Sequence, residues 1–237
     1  MVMNPNALGL DLPPGTLRVQ PSLWYADEPA TPGTWARLLP ARDATGMQPV
    51  LLAETRFLHP GQVADPDDHD AATTLADLWR LVQEEDDETP PEPWPGLAPA
   101  APGGTDPDGA AARTAAELAG DDDWLKGTRG ALVPARRSAD IPAVLGWGGA
   151  AGHADAVRIS AVLRSWEDRF GIRVVGLGPD VLTVSVAAPP RTPEVALAVA
   201  AEHAAFAPDT VWDDYETLRA YATEEVLDRR DWTFWWD

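Results

Sequence analysis

The residues best suited to chemistry are Glu202 and His203, with Asp209 a short distance further on. They lie in a stretch that is otherwise made of Ala, Val, Leu and Phe. Glu202 follows Val195 by seven residues and Val199 by three, which places it on or beside the apolar side of a helix. A buried carboxylate suits a general acid or base, and Asp209 would orient His203. The three residues are therefore the candidate catalytic group of a small hydrolase or transferase.

Glu202 also fits a structural role, because a buried carboxylate often serves as the partner of an arginine. Arg164 and Arg173 are the arginines that we expect to be within reach. The two interpretations differ in what surrounds the carboxylate. A catalytic group would converge on an open pocket, whereas a structural carboxylate would be buried against an arginine with no cavity beside it.

Two further motifs have the form of ligand sites without the context that such sites require. Gly146-x-Gly148-x-x-Ala151 matches the dinucleotide fingerprint, which needs a buried strand before it and a helix after it. Here a short helical turn is predicted before it. Asp65-x-Asp67-x-His69 resembles a calcium loop, but it lacks the central glycine and has Ala76 in place of the bidentate glutamate. We expect no metal and no cofactor.

Composition limits the function classes. The formal net charge of −20 argues against nucleic acid and against an anionic membrane surface as partners. The absence of cysteine excludes disulfides and thiolate chemistry. No segment has the pattern of a bilayer span or a signal peptide, so a cytoplasmic protein is expected. An apolar content of 45% is enough for a hydrophobic core.

Changes in composition divide the chain into three parts. Residues 1–83 are predicted to form an N-terminal α/β region, including a short helix that Pro40 ends. Residues 84–110 open with an acidic block and continue with proline, glycine and alanine, as in a semi-rigid linker. Trp94 within this linker is expected to attach it to a folded surface. Residues 111–237 form the C-terminal domain.

The C-terminal domain has the clearest pattern of helices and strands. A helix over 155–170 ends at Gly171, and the strands 172–177 and 181–186 form a hairpin. With a first strand at 131–135, a helix from Thr192 and a last strand near the end, the order is β-α-β-β-α-(α)-β. The fold class is therefore predicted as α+β. The C-terminal domain would be ferredoxin-like, with a mostly antiparallel four-stranded sheet, and the smaller N-terminal region would pack against it.

The last strand is unusually aromatic. Alternation points Trp232, Phe234 and Trp236 to one face, which we expect to pack against the helices that precede it. It points Trp235 to the other face. A bare tryptophan there would be unfavourable, so the N-terminal region is predicted to cover this face through Trp94.

Several segments together resemble the bacterial family called domain of unknown function 4253, which is frequent in actinomycetes such as Streptomyces. They are VLRSWEDRFG at 162–171, VAAPP at 186–190, AAEH at 200–203, WTFWWD at 232–237, LPPG at 12–15, DEP at 27–29 and WPGLA at 94–98. The resemblance implies kinship and a cytoplasmic origin but no activity. Ala204 and Ala207 stand where the family pattern has Phe and Cys, which excludes a thiol-based role at that position.

These features favour a non-catalytic protein-binding module, regulatory or immunity-type, whose acidic surface meets a basic protein partner. Tryptophan is enriched at binding hot spots, and the chain has eleven. Trp147, Trp212 and Trp235 are the predicted partner-binding residues. The enzyme based on Glu202, His203 and Asp209 is the alternative.

Overall fold

The computed structural model describes residues 4–59, 61, 65–85, 92–102, 106–120 and 125–237. The strands, in chain order, are β1 (Gly15–Val19), β2 (Ser22–Ala26), β3 (Gln48–Leu52), β4 (Arg129–Val133), β5 (Ile172–Leu177), β6 (Val181–Val186) and β7 (Asp231–Trp235). The helices are α1 (Thr34–Thr45), α2 (Ala71–Glu85), α3 (Pro107–Gly120), α4 (Ile141–Leu145), α5 (Ala156–Phe170), α6 (Pro193–Phe206), α7 (Pro208–Trp212) and α8 (Leu218–Tyr221), which a π-helical turn (Ala222–Val226) follows.

The strands form one mixed sheet in the order β1-β2-β4-β3-β5-β6-β7. β3 and β5 are parallel, and the other neighbouring strands are antiparallel. The α+β class is confirmed, but the four-stranded ferredoxin-like sheet is wrong, because β3 lies between β4 and β5. Val50, Leu51 and Leu52 are all buried, so β3 has apolar residues for both faces and suits a central position. The N-terminal strands therefore extend the sheet instead of packing against it.

Helices cover both faces of the sheet. α1 and α3 lie on one face, where Trp35 packs with Leu51 and Val175. α2, α4, α5 and α6 lie on the other face and enclose the main core. α1 and α3 lie on the face to which Trp235 points, and Thr183 and Ser185 are buried there, but on β7 itself Thr233 is exposed and Trp235 is half-buried. Trp94 lies on the opposite side of the sheet, where it packs against Trp79 with ring centroids 5.8 Å apart. The prediction that Trp94 covers this face is wrong.

Two helix boundaries differ from the sequence-based expectation. α1 passes through Pro40 and ends at Gly46, because burial of Leu38 and Ala41 outweighs the hydrogen bond that a proline cannot donate. α3 begins at Pro107, and the Asp106 carboxylate accepts a hydrogen bond from the Gly109 amide.

The predicted linker, 84–110, thus includes the start of α3, and the sheet takes strands from both sides of it. Residues 86–91 and 103–105 of this linker lie outside the described residues. The division into 1–83, 84–110 and 111–237 stays a prediction.

β7 closes the main core as its alternation predicts. Trp166 stacks on Phe234 with ring centroids 5.3 Å apart. Phe170 meets Trp232 edge-on at 5.6 Å, and Trp236 packs beside α6. The expected packing of this aromatic face is confirmed.

The outer edge of β7 is capped by a side chain of α7. The Thr210 hydroxyl accepts a hydrogen bond from the Trp235 amide at 2.8 Å and donates one to the Trp235 carbonyl at 3.1 Å. A sheet edge left open can pair with another chain. Thr210 therefore occupies two backbone groups that a partner strand would otherwise use.

Candidate functional site

Glu202 lies on α6 and is fully buried, as its helical spacing predicts. Its carboxylate forms a two-point ion pair with Arg169 on α5, at 2.7 and 2.6 Å. It also accepts hydrogen bonds from the Trp166 indole at 2.7 Å and the Ala98 amide at 2.6 Å. Arg169 is the partner in place of Arg164 or Arg173. The four donors satisfy both carboxylate oxygens.

This ion pair also holds the extended segment before α3. Arg169 donates to the Ala98 carbonyl at 2.9 Å, and its own carbonyl accepts from the Ala101 amide at 3.1 Å. Glu202 and Arg169 therefore bind both the amide and the carbonyl of Ala98. The geometry makes Glu202 an anchor between α5, α6 and residues 92–102.

His203 lies in an aromatic cage within the core. Its ring centroid is 4.6 Å from that of Trp232 and 4.8 Å from that of Phe234, and its Nδ1 lies 3.0 Å from the Tyr221 hydroxyl. Burial, with a smaller contribution from the Arg169 charge, lowers the pKa of His203 from 6.5 to about 3. The imidazole is therefore neutral at physiological pH.

Asp209 lies apart from the other two candidate residues. It is partly exposed at the start of α7, and its carboxylate accepts a hydrogen bond from the Asp237 amide at 3.0 Å. The structure joins Glu202 to Arg169 and His203 to Tyr221. The three residues do not converge on one pocket.

Asp209 instead lines a surface groove of about 730 Å³. α2 forms one wall, with Trp79, and α7 with the residues after it forms the other. The Glu92 backbone joins the first wall, because its carbonyl accepts from the Trp79 indole at 2.8 Å and its amide donates to Gln83 at 2.9 Å. The lining residues are Trp79, Val82, Gln83, Glu92, Pro208, Asp209, Trp212, Asp213, Glu216, Thr217 and Leu218.

The groove combines carboxylates with an accessible aromatic ring. Among the described residues that line it, the acids are Glu92, Asp209, Asp213 and Glu216, and none is a lysine or arginine. Within the described parts of the chain, none of the four makes an ion pair. Trp212 is 40% exposed, which is unusual for so large an apolar side chain. The groove is suited to a cationic ligand with apolar parts.

The three predicted partner-binding tryptophans have different environments. Trp212 is exposed in the groove. Trp147 is 2% exposed and donates to the Gly178 carbonyl at 2.8 Å, so it contributes to the core. Trp235 is half-buried on β7. Only Trp212 of the three presents a large accessible surface in the described structure.

The two motifs that resemble ligand sites have structural partners. The Gly146 loop follows α4 rather than a strand, as predicted. Asp65 and Asp67 both accept from Arg136, and Asp67 also pairs with Arg164. The acidic loop is therefore bound to arginines of the C-terminal part.

Sequence reasoning missed the groove as a unit. Asp209 and Trp212 are predicted as site residues for separate reasons, and Trp79 is not among the predicted site residues. Asp213 and Glu216 have the spacing of a helix-capping pair, but Thr217 caps α8 and both carboxylates lie in the groove. A cluster of acids around an exposed tryptophan at 209–216 was the available signal.

Residues 129–237 match the family model described as Domain of unknown function (DUF4253). The match runs from β4 to the last residue and contains the α7 side of the groove. The resemblance inferred from the sequence is confirmed over this part of the chain. No curated protein matched the chain. No solved structure matched it either. Among the described residues, no helix is long and apolar enough to cross a membrane.

Proposed function

We propose that this protein is a non-catalytic protein-binding module, regulatory or immunity-type, whose groove receives a basic segment of a partner protein in the cytoplasm. The observation that carries the proposal is the pairing of four carboxylates with the exposed Trp212 in one groove, whose described lining residues include no basic side chain. Arg and Lys bind carboxylates through charge-assisted hydrogen bonds and stack on tryptophan through cation–π contacts. A segment rich in these residues satisfies both features.

The overall charge supports the same partner class. A net charge of −20 attracts basic proteins and accelerates their association. It repels nucleic acid and anionic membranes, so we propose neither as a partner.

The enzymatic alternative stays a prediction. It would be supported by convergence of Glu202, His203 and Asp209 on a pocket. Glu202 and His203 are fully buried, whereas Asp209 lies in the groove. The groove therefore favours binding over acid–base chemistry by this group.

Site-specific photo-crosslinking in the native host tests the proposal. A photoreactive amino acid at Thr217, on the groove wall, should capture a peptide rich in Lys and Arg. The same amino acid at Thr16, an exposed residue on β1, is the control. Trp212→Ala or the pair Asp213→Asn and Glu216→Gln should abolish the capture. Equal capture from both positions, or capture that persists in these variants, would contradict the proposal.

A further inference from the structure

A second pocket, of about 280 Å³, lies on the other side of the protein from α2. It is formed by α3, by the segment that follows β6 and by the residue before β7. The Val186 amide donates to the Arg230 carbonyl at 2.7 Å and fixes two of its walls together. The lining residues are Ala110, Arg113, Thr114, Glu117, Val186, Ala187, Pro189, Arg191 and Arg230.

Three guanidinium groups meet at this pocket. Arg191 pairs with Asp228 at 2.7 Å, outside the lining. Arg113 and Arg230 are exposed and have no ion pair within the described part of the chain. The chain has 38 acidic and 18 basic residues, so carboxylate partners are abundant. Two arginines that face one pocket without such a partner are therefore notable.

Thr114 supplies a second, independent feature. It is only 5% exposed, yet it lines the pocket. Its hydroxyl is not one of the fully buried side-chain groups that lack a hydrogen-bond partner among the described residues. A hydroxyl group can both donate and accept hydrogen bonds. Thr114 can therefore offer a donor to a ligand in the pocket.

The geometry points to a binding site for a small phosphate-bearing ligand. Guanidinium groups match the oxygens of phosphate in pairs. Arg113 and Arg230 carry two positive charges against the one negative charge of Glu117, and Arg191 is paired with Asp228, so the lining keeps a net positive charge. The Thr114 hydroxyl donates to a further oxygen. Glu117 in the lining disfavours more highly charged anions. The pocket is smaller than most sites for drug-sized ligands, so it takes free phosphate or the phosphate end of a compact metabolite.

The acidic character of the protein does not prevent this binding. Charges on the surface are screened over about 8 Å at physiological ionic strength. The arginines within the pocket therefore decide the local potential. This site shares no residue with the acidic groove and is independent of the proposed function.

Isothermal titration calorimetry at constant ionic strength tests the assignment. The probes are inorganic phosphate, glycerol 3-phosphate and citrate, the last as an anion without phosphate. The variant pair Arg113→Gln and Arg230→Gln removes the two free guanidinium groups. The pair Arg37→Gln and Arg219→Gln, at exposed positions outside this lining, removes the same charge elsewhere.

The unmodified protein and the double variant Arg37→Gln with Arg219→Gln should bind phosphate or glycerol 3-phosphate. The double variant Arg113→Gln with Arg230→Gln should bind the same compound at least about tenfold more weakly, because charge-assisted hydrogen bonds are lost. Citrate should bind more weakly than the preferred phosphate compound. Binding of neither phosphate compound would overturn the assignment. Equal losses in the two variant pairs, or citrate binding as tight as phosphate binding, would overturn it as well.

Discussion

The change Glu202→Gln tests the role of the buried ion pair. Glutamine has nearly the same shape as glutamate but carries no charge. The glutamate carboxylate accepts from Ala98 and Arg169 on one oxygen and from Trp166 and Arg169 on the other. Glutamine retains one acceptor oxygen and turns an amide NH₂ group toward the other two donors. Two buried donors then lose their acceptor.

The expected loss of stability is about 3 kcal/mol. Each buried donor without an acceptor costs about 1–3 kcal/mol, and removing one partner of a buried ion pair costs about 3–5 kcal/mol. The Arg169 side chain is 13% exposed, so water can solvate part of the guanidinium group after the change. The expected loss is therefore at the lower end of the range for a buried ion pair.

Urea unfolding measures this loss as a lower midpoint at an unchanged m-value. Hydrogen exchange should also show faster exchange at the Ala98 amide. The exposed pair Arg191–Asp228 provides the control, because Asp228→Asn should cost less than about 1 kcal/mol. A loss below about 1 kcal/mol for Glu202→Gln would refute the structural role assigned to Glu202.

Three further predictions concern the core, the sheet edge and the groove. Because the pKa of His203 is lowered to about 3, the unfolded chain takes up a proton below pH 6.5 that the folded chain does not. The unfolding free energy should therefore fall by up to about 1.4 kcal/mol per pH unit from pH 6.5 to 5, and urea unfolding of His203→Asn should lack this part of the slope. Thr210→Val removes both hydrogen bonds to the Trp235 backbone, so the free energy of unfolding should fall by about 1–3 kcal/mol. Hydrogen exchange at the Trp235 amide should become faster, and unchanged exchange would contradict the capping role. Trp212→Ala should cost less than the roughly 3–5 kcal/mol of a core tryptophan, because its ring is 40% exposed; a core-sized loss in urea unfolding would mean that its role is structural.

Local patterns predicted several of the individual elements well. The helix expected over 155–170 is α5 (Ala156–Phe170), since its apolar residues recur on one face, Asp155 caps its first turn and Gly171 ends it. The strands β5 and β6 also have the predicted bounds. The neighbours of each strand were not predictable, because β3 pairs with residues more than a hundred positions away. Apolar alternation shows that a strand is buried but not which strand lies beside it.

The candidate site shows the same limit. Helical spacing placed Glu202 in the core, but the choice of Arg169 over other arginines depends on how α5 packs against α6. Arg169 lies three residues after Trp166, so both side chains reach the same carboxylate. The groove was not predictable as a unit, because α2 and α7 are far apart in the sequence and only the fold brings Trp79 near Trp212.

The most direct test of the proposed function is the affinity for the partner segment that crosslinking identifies. Calorimetry with this segment as a synthetic peptide would compare the protein with two charge-matched variant pairs. Asp213→Asn with Glu216→Gln alters the groove, and Asp27→Asn with Glu28→Gln alters exposed acids elsewhere. We expect the groove pair to bind at least about tenfold more weakly and with a smaller dependence on salt, and the second pair to bind as the protein does. Equal affinity for the protein and both variant pairs would contradict the account.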